Sequence, residues 1–362
     1  MPGTVLAAAP LAIVLLTMSV FGWSAAAAGA TGLAAAVIIA VIAFGIGPPA
    51  LSFEVASIGI LAETLHSTAT ILWIILPALL LYEYQQRSGG LERIRQALTH
   101  ITSAKRMQVL LIAWFFALFM EGAAGFGAPV AVAAPLLVGI GISPARAVML
   151  ALIGHAAGVP FGAIGTPTLT QVEIAGLAPL ELGGTIAAIN LVLGFGLVFV
   201  VSRFSGDGPL TWSEIRWTAL AGACFLIPSG VIAAGVGPEL PTLAGALIGL
   251  VLFVTLLRWR QALLAIRWRD LLPDLLPYGL LVALILATRL VPLLRQRLGE
   301  LAWSWDLHSY FSGSFAPLFH PGSLLFVSIA AAALASRRHA LLSPAFAAAL
   351  RRLGPVALAL FL

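Results

Sequence analysis

Apolar blocks of about twenty residues, separated by short polar loops, set the pattern of this chain. A block of that length crosses a bilayer as a helix, because lipid offers no partner for free backbone groups. The pattern predicts spans near 4–22, 26–46, 67–84, 182–202, 216–236, 241–258, 274–294 and 321–336. The first is not read as a cleaved signal peptide, since no Lys or Arg precedes it and a second span follows closely.

Two further apolar stretches, 107–142 and 145–176, have the wrong length for one simple span. Basic residues decide how to treat them. Arg87, Arg93, Arg95, Lys105 and Arg106 share one loop, Arg258, Arg260, Arg267 and Arg269 a second, and Arg337, Arg338, Arg351 and Arg352 a third. The positive-inside rule puts all three in the cytoplasm. Loops 47–66 and 237–240, with Glu54, Glu63 and Glu239 but no Lys or Arg, then lie outside. Counting spans from there places 107 and 142 on the same face. Sixteen basic residues fall on or near the cytoplasmic side, and three, Arg289, Arg295 and Arg297, do not.

Stretch 107–142 is therefore expected to be a re-entrant hairpin. Its middle, Glu121-Gly122-Ala123-Ala124-Gly125-Phe126-Gly127-Ala128-Pro129, is too glycine-rich for a good helix, and Pro129 marks a helix break there. The arms left on either side, roughly 14 residues or about 21 Å each, fall short of a hydrocarbon core about 30 Å thick. Stretch 145–176 is expected to cross as a discontinuous helix. Within Gly158-Val159-Pro160-Phe161-Gly162-Ala163-Ile164-Gly165-Thr166-Pro167, the rings of Pro160 and Pro167 press on the carbonyls of Ala156 and Ala163 and free them. Such backbone is tolerated at depth only where it is buried in protein or lines a watery cavity. A broken helix beside a re-entrant hairpin is the architecture of a secondary transporter, whose free carbonyls and half-helix ends bind ions and anionic substrates. Segment 295–320 is external, with Trp303, Trp305, Tyr310 and Phe311 as interface anchors. An apolar segment starts at Gly354 and stops at Leu362, too short to span, so the chain is expected to be C-terminally incomplete.

Composition narrows the function classes. The chain is 61% hydrophobic and 9% charged, with a mean hydropathy of +1.07. Those values exclude a soluble enzyme, a secreted disulfide scaffold and a disordered tail, and leave an all-α polytopic membrane protein. A single cysteine, Cys224, excludes an intrachain disulfide or a thiolate metal cluster. The histidines show no metal-ligand spacing, and no metal or cofactor is called for. The net charge of +5 lies in loops between spans, so membrane lipid and not nucleic acid is the partner it points to. No G-x-S-x-G, H-E-x-x-H or P-loop is present, and there is no catalytic constellation.

Several membrane-embedded residues carry two readings each. Glu121, whose insertion as a carboxylate costs about 2.5–3.5 kcal/mol, either caps the start of a half-helix or holds a coupling proton. His155, about 13 Å past Arg146 by helical rise, is a packing residue or a proton or substrate contact. Gly154, Gly158 and Gly162 are spaced four apart, which permits close helix approach. Gly158, Gly162 and Gly165 in the break, and Gly122, Gly125 and Gly127 at the hairpin tip, can also turn amides toward an anion. Thr166 is the favoured hydroxyl among Thr166, Thr168 and Thr170, all of which can back-bond to their own helix. Asn190 reads as helix–helix glue, Arg289 as snorkelling to the interface, and Cys224 as a core residue.

At the hairpin and the broken helix the residues resemble a known family. Phe119-Met120-Glu121-Gly122-Ala123-Ala124-Gly125-Phe126-Gly127-Ala128-Pro129-Val130-Ala131 looks like the signature of the L-lactate permease family. Pro135-Leu136-Leu137-Val138-Gly139-Ile140-Gly141, Phe161-Gly162-Ala163-Ile164-Gly165-Thr166-Pro167 and Gly237-Pro238-Glu239-Leu240-Pro241 continue the match. The resemblance implies an importer of L-lactate and related 2-hydroxy monocarboxylates such as glycolate, driven by proton symport. It also implies two inverted repeats, the first over 1–236 and the second beginning at 237–362. Two departures stand out: the family's further C-terminal Gly-, Ser- and Thr-rich motifs are absent, and His155 stands where some members carry a polar amide. The 362 residues alone are therefore not expected to transport. An uncoupled small-carboxylate channel or facilitator, or a symporter for another small organic acid, is the alternative. An oligomer is compatible with the same pattern.

Overall fold

The computed structural model describes residues 2–44, 51–99, 101–125, 128–260, 268–307 and 309–361, nearly all of them helical. In chain order the helices are α1 (Pro2–Ser19), α2 (Ala25–Ile39), α3 (Phe53–Arg87), α4 (Gly90–Thr99), α5 (Lys105–Ala123), α6 (Ala128–Gly139) and α7 (Pro144–Ala156). Then come α8 (Gly162–Ala175), α9 (Pro179–Phe204), α10 (Trp212–Gly235), α11 (Pro241–Arg260), α12 (Trp268–Leu290) and α13 (Pro292–Glu300). Strands β1 (Trp303–Leu307) and β2 (Phe311–Phe315) form an antiparallel hairpin, followed by α14 (Pro321–Ala335) and α15 (Leu342–Phe361). Among the described residues eight helices are long and apolar enough to cross a membrane, or nine if the bent pair Pro144–Ala156 and Val159–Ala175 counts as one span. Large apolar side chains such as Ile189, Val192 and Leu193 of α9 point outward. Lipid accepts such a face, whereas water penalises it.

Several expected boundaries change. Residues 53–66 are not a loop, because α3 is one helix of 35 residues, about 52 Å long. Apart from Gly59 that stretch consists of residues a helix tolerates, and Glu54 and Glu63 do not stop it. Residues 47–50 of the same expected loop lie outside the described residues. Helix α5 continues through Glu121 to Ala123, 19 residues in all, or about 28 Å. Glu121 therefore belongs to a helix and not to the turn, and the first arm is longer than expected. At the chain end, Leu342–Phe361 is one helix of 20 residues carrying Arg351 and Arg352, not a polar loop followed by an apolar start. Conversely α14, expected as a span, has 15 residues, short of the roughly 20 that cross.

The chain divides into two units. The first comprises residues 1–72, 302–315 and 350–362. Within it α1 packs on α2, and Phe311 of β2 lies on Gly59, where a Cβ would collide with the ring. Trp305 meets His66 edge-on at 5.8 Å. Of the four aromatics expected as interface anchors, Trp303 and Tyr310 are exposed while Phe311 is buried.

The second unit comprises residues 73–301 and 316–349. Helix α5 is its axis, with Val109 to Phe119 no more than 3% exposed. Over Leu110–Phe116 it is wound as a π-helix, and Gly154 of α7 lies against the Ala113 carbonyl, where any Cβ would collide. The small residue at 154 thus serves close helix approach, as its spacing suggested. Lys105 Nζ donates to Gly141 O at 3.0 Å, which joins the two ends of 105–141, and α6 packs back along α5. Asp274 of α12 accepts from Arg93 Nε (2.7 Å) and Nη2 (2.6 Å) and from Arg338 Nη1 (2.7 Å), tying α4, α12 and the end of α14 together.

Breaking a fully buried ion pair by removing one partner costs about 3–5 kcal/mol. Here the side chains of Arg93 and Arg338 are 36% and 28% exposed while that of Asp274 is fully buried, so water shares the load. Asp274→Ala is expected to destabilise the protein by about 2 kcal/mol, read as a lowered unfolding midpoint in detergent micelles. An unchanged midpoint would make the cluster an ornament of the surface.

Candidate functional site

Backbone irregularity concentrates between α7 and α8. After α7 a single 3-10 turn covers Val159–Phe161, and the two halves are bent by 63°. Ala163 (φ 42°), Ile164 (φ 58°) and Gly165 (φ 77°) then form a left-handed run before regular helix resumes. That conformation costs a residue bearing a Cβ about 1–2 kcal/mol, and in a β-branched residue such as Ile164 it is rare. Held strain of this kind gathers at functional sites. Pro160 lies in the 3-10 turn and Pro167 follows the left-handed run, so both flank the break. Pro129 behaves differently. It is the second residue of α6, a first-turn position that tolerates proline, and it opens a helix without breaking one.

The break frees carbonyls, and side chains answer them. Asn190 Nδ2 donates to Ala157 O (2.5 Å), Thr242 Oγ1 to Gly158 O (2.7 Å), Thr168 Oγ1 to Pro160 O (2.6 Å) and Thr166 Oγ1 to Ala163 O (2.6 Å). Asn190 is helix–helix glue, as its sequence context suggested, and the object it holds is the break itself. Thr166 has its proton committed within its own helix, which leaves its oxygen as an acceptor.

Three chain segments close on this break. From α5 comes Glu121, 7% exposed, whose Oε1 lies where a Cβ on Gly162 would sit and whose Oε2 is 3.9 Å from His155 Nε2. Glu121 ends its own helix, yet its carboxylate lies beside the first residue of α8. The capping reading and the proton reading thus fall on one group. His155, in the last turn of α7, points Nδ1 at Ala151 O, 2.6 Å away. A carbonyl only accepts, so Nδ1 carries the proton and Nε2 is free to take another. The second segment is the turn after α5, where Gly125 (φ 54°) would bring a Cβ 3.0 Å from Ala163 Cβ. Gly127 lies outside the described residues.

The third segment is the corner 237–243. Gly122 packs on the Leu243 backbone, where a Cβ would be 2.6 Å from its Cα. Gly158 packs on Thr242 Cγ2 and Leu118 Cδ2, 2.7 and 2.8 Å from a Cβ, and Gly165 packs on the Pro238 carbonyl. Residues 237–240, expected as a short loop on the outer side, are buried within the protein. Arg289 does not snorkel. It bonds Glu239 Oε1 through Nε (3.0 Å) and Nη2 (2.7 Å), reaches the Phe319 carbonyl and lies 3.6 Å over the Phe319 ring. Each residue stood out singly in the sequence, Arg289 as one of three basic residues off the cytoplasmic side and Glu239 in a loop without Lys or Arg, but nothing there paired them. Thr242 did not stand out.

Crossing-length apolar helices around a buried, polar helix break define a multi-pass protein of the cell membrane. The family model for L-lactate permease matches residues 3–318, and the chain belongs to that family. Glycolate permease GlcA of Escherichia coli (strain K12) is 34% identical over 256 residues, 69% of this chain and 44% of that protein. The L-lactate permease of Bacillus subtilis (strain 168) is 34% identical over 236 residues, 64% of this chain and 40% of its own length. That of Salmonella typhimurium (strain LT2) is 34% identical over 205 residues, 56% and 36%. The chain spans less than half the length of these curated relatives. No solved structure matches it.

The left-handed run reverses the usual sign of one substitution. Ala→Gly in an exposed helix interior costs about 1 kcal/mol, the loss expected for Ala188→Gly in α9. Ala163→Gly, at φ 42°, is expected to be neutral or to stabilise by up to about 1 kcal/mol. Equal losses for both variants in micelle unfolding would show that residue 163 is ordinary helix.

Proposed function

We propose that the protein is a secondary active transporter that imports L-lactate and related 2-hydroxy monocarboxylates such as glycolate by proton symport. The observation that carries this reading is the pair Glu121 and His155, a buried carboxylate 3.9 Å from the nitrogen of a half-buried imidazole, beside a strained helix break. One proton serves both groups. Without it a bare carboxylate stands at membrane depth, which is costly. A proton loaded together with a monocarboxylate anion adds no net charge, so the empty and the loaded site carry the same charge.

The remaining site residues take roles that fit a 2-hydroxy acid. In this reading Gly122, Gly125, Gly158, Gly162 and Gly165 form the surface that takes the carboxylate, and Thr166 Oγ1 accepts from the hydroxyl. On the same reading 107–142 is a re-entrant hairpin, which the Lys105–Gly141 bond across its ends supports, and 145–176 is a discontinuous span. Residues 1–236 form the first of two inverted repeats and 237–362 begin the second. Protons, monocarboxylate and membrane lipid are the partners. The names of the relatives, L-lactate permease and glycolate permease, supply the substrate class.

Two experiments test this. In proteoliposomes of the complete protein, Glu121→Gln is expected to lose lactate accumulation driven by a pH gradient while keeping lactate exchange. Exchange needs binding and movement but no net proton transfer. Accumulation by that variant would move the proton role to His155, and a wild type indifferent to the gradient would make the protein an uncoupled facilitator. For the hairpin, Ser143→Cys and Gln96→Cys in a Cys224→Ser background are expected to react with an impermeant thiol reagent from the same side. Reaction of residue 143 from the opposite side would remove the re-entrant hairpin.

A further inference from the structure

We propose that the Glu239–Arg289 pair positions the 237–243 corner over the helix break, and that its opening admits substrate from outside. The inference rests on the transport reading above. The corner occupies the space in front of the break: Pro238 O abuts Gly165, Leu243 backbone abuts Gly122, and Thr242 Oγ1 bonds Gly158 O. While it stays there, the backbone that would receive a carboxylate is covered. The corner and the break therefore cannot both keep this contact and admit a ligand.

Besides the Thr242–Gly158 bond, one carboxylate oxygen ties the corner to Arg289. Arg289 is fixed on its far side, through Nη1 and Nη2 to the Phe319 carbonyl at 3.3 and 3.2 Å and by its stack on the Phe319 ring. Toward the corner it gives both Nε and Nη2 to Glu239 Oε1. Glu239 Oε2 is buried without a hydrogen-bond partner. Gly237, at φ 144°, is the neighbour whose Cβ would come within 2.5 Å of that oxygen. An ion pair built only for stability would set both carboxylate oxygens against the two arms of the guanidinium. Stranding Oε2 penalises the closed form, because a buried acceptor without a donor has lost its water and gained nothing. Lifting the corner hydrates Oε2 and leaves Arg289 seated on Phe319. The bond is strong enough to close the site and incomplete enough to open.

The test is accessibility, which does not require lactate movement. Thr166→Cys in the Cys224→Ser background of the complete protein reports the break to an impermeant thiol reagent added outside. With the pair intact, labelling is expected to be slow. Glu239→Gln/Arg289→Gln removes both charges together and so leaves no bare charge buried; it is expected to raise the labelling rate about tenfold by shifting the open–closed equilibrium. The exchange Glu239→Arg/Arg289→Glu is expected to bring it back toward the slow rate, which a merely structural loss would not do. If the double neutral variant is lost from the membrane, Glu239→Asp, which shortens the reach to Arg289, supplies the same comparison. Unchanged labelling in these variants, with lactate uptake intact in the wild type, overturns the latch and leaves the transport reading standing. Faster labelling in a protein that moves no lactate overturns the transport reading and leaves the latch.

Discussion

A helix that breaks inside a membrane frees backbone groups that lipid cannot satisfy, and each must find a partner in the protein. At the junction of α7 and α8 this requirement is met residue by residue. Ala157, Gly158, Pro160 and Ala163 each offer a carbonyl, and Asn190, Thr242, Thr168 and Thr166 each supply the donor. Two of those donors belong to the same stretch of chain. The other two come from α9 and α11, which therefore have to lie against the break. The packing of the second unit follows from that need; glycines at 122, 154 and 165 let backbones approach one another, and those at 158 and 162 make room for the side chains of Thr242, Leu118 and Glu121.

The same geometry sets the chemistry. Helix α5 ends at the break, and so does α7, so the two titratable residues in their last turns, Glu121 and His155, are carried to one place. A carboxylate alone at this depth would be a liability. Here it stands 3.9 Å from the Nε2 of an imidazole whose Nδ1 proton is committed to Ala151 O. Strain at Ala163 and Ile164 lies within the same few residues. Strain, a carboxylate–imidazole pair and covered backbone thus occupy one small region.

Much of this was legible in the sequence, and the limits have physical causes. Spans expected at 182–202, 216–236, 241–258 and 274–294 correspond to α9, α10, α11 and α12, because run length is a direct signal when lipid is the solvent. The break was legible because proline cannot donate, and the weight given to Glu121 and His155 came from the cost of burying them. Other features were not. The stretch from Glu121 to Pro129 reads as too glycine-rich for a helix, yet one glycine costs a helix only about 1 kcal/mol, and α5 continues past Gly122 to Ala123. The π winding of Leu110–Phe116 leaves no mark in an apolar run. Glu239 and Arg289 stand 50 residues apart, and each alone reads as a residue at the membrane edge. Their pairing is a fact of tertiary structure, as is the role of Thr242.

The account turns on whether Glu121 takes up and gives up a proton as substrate comes and goes. Infrared difference spectra of the reconstituted complete protein, recorded on adding lactate, address this without relying on transport rates. The account predicts a protonated-carboxyl C=O band that changes when lactate binds and is missing from the Glu121→Gln spectrum. A lactate-induced spectrum with no carboxyl change, or with the same band still present in Glu121→Gln, would contradict it.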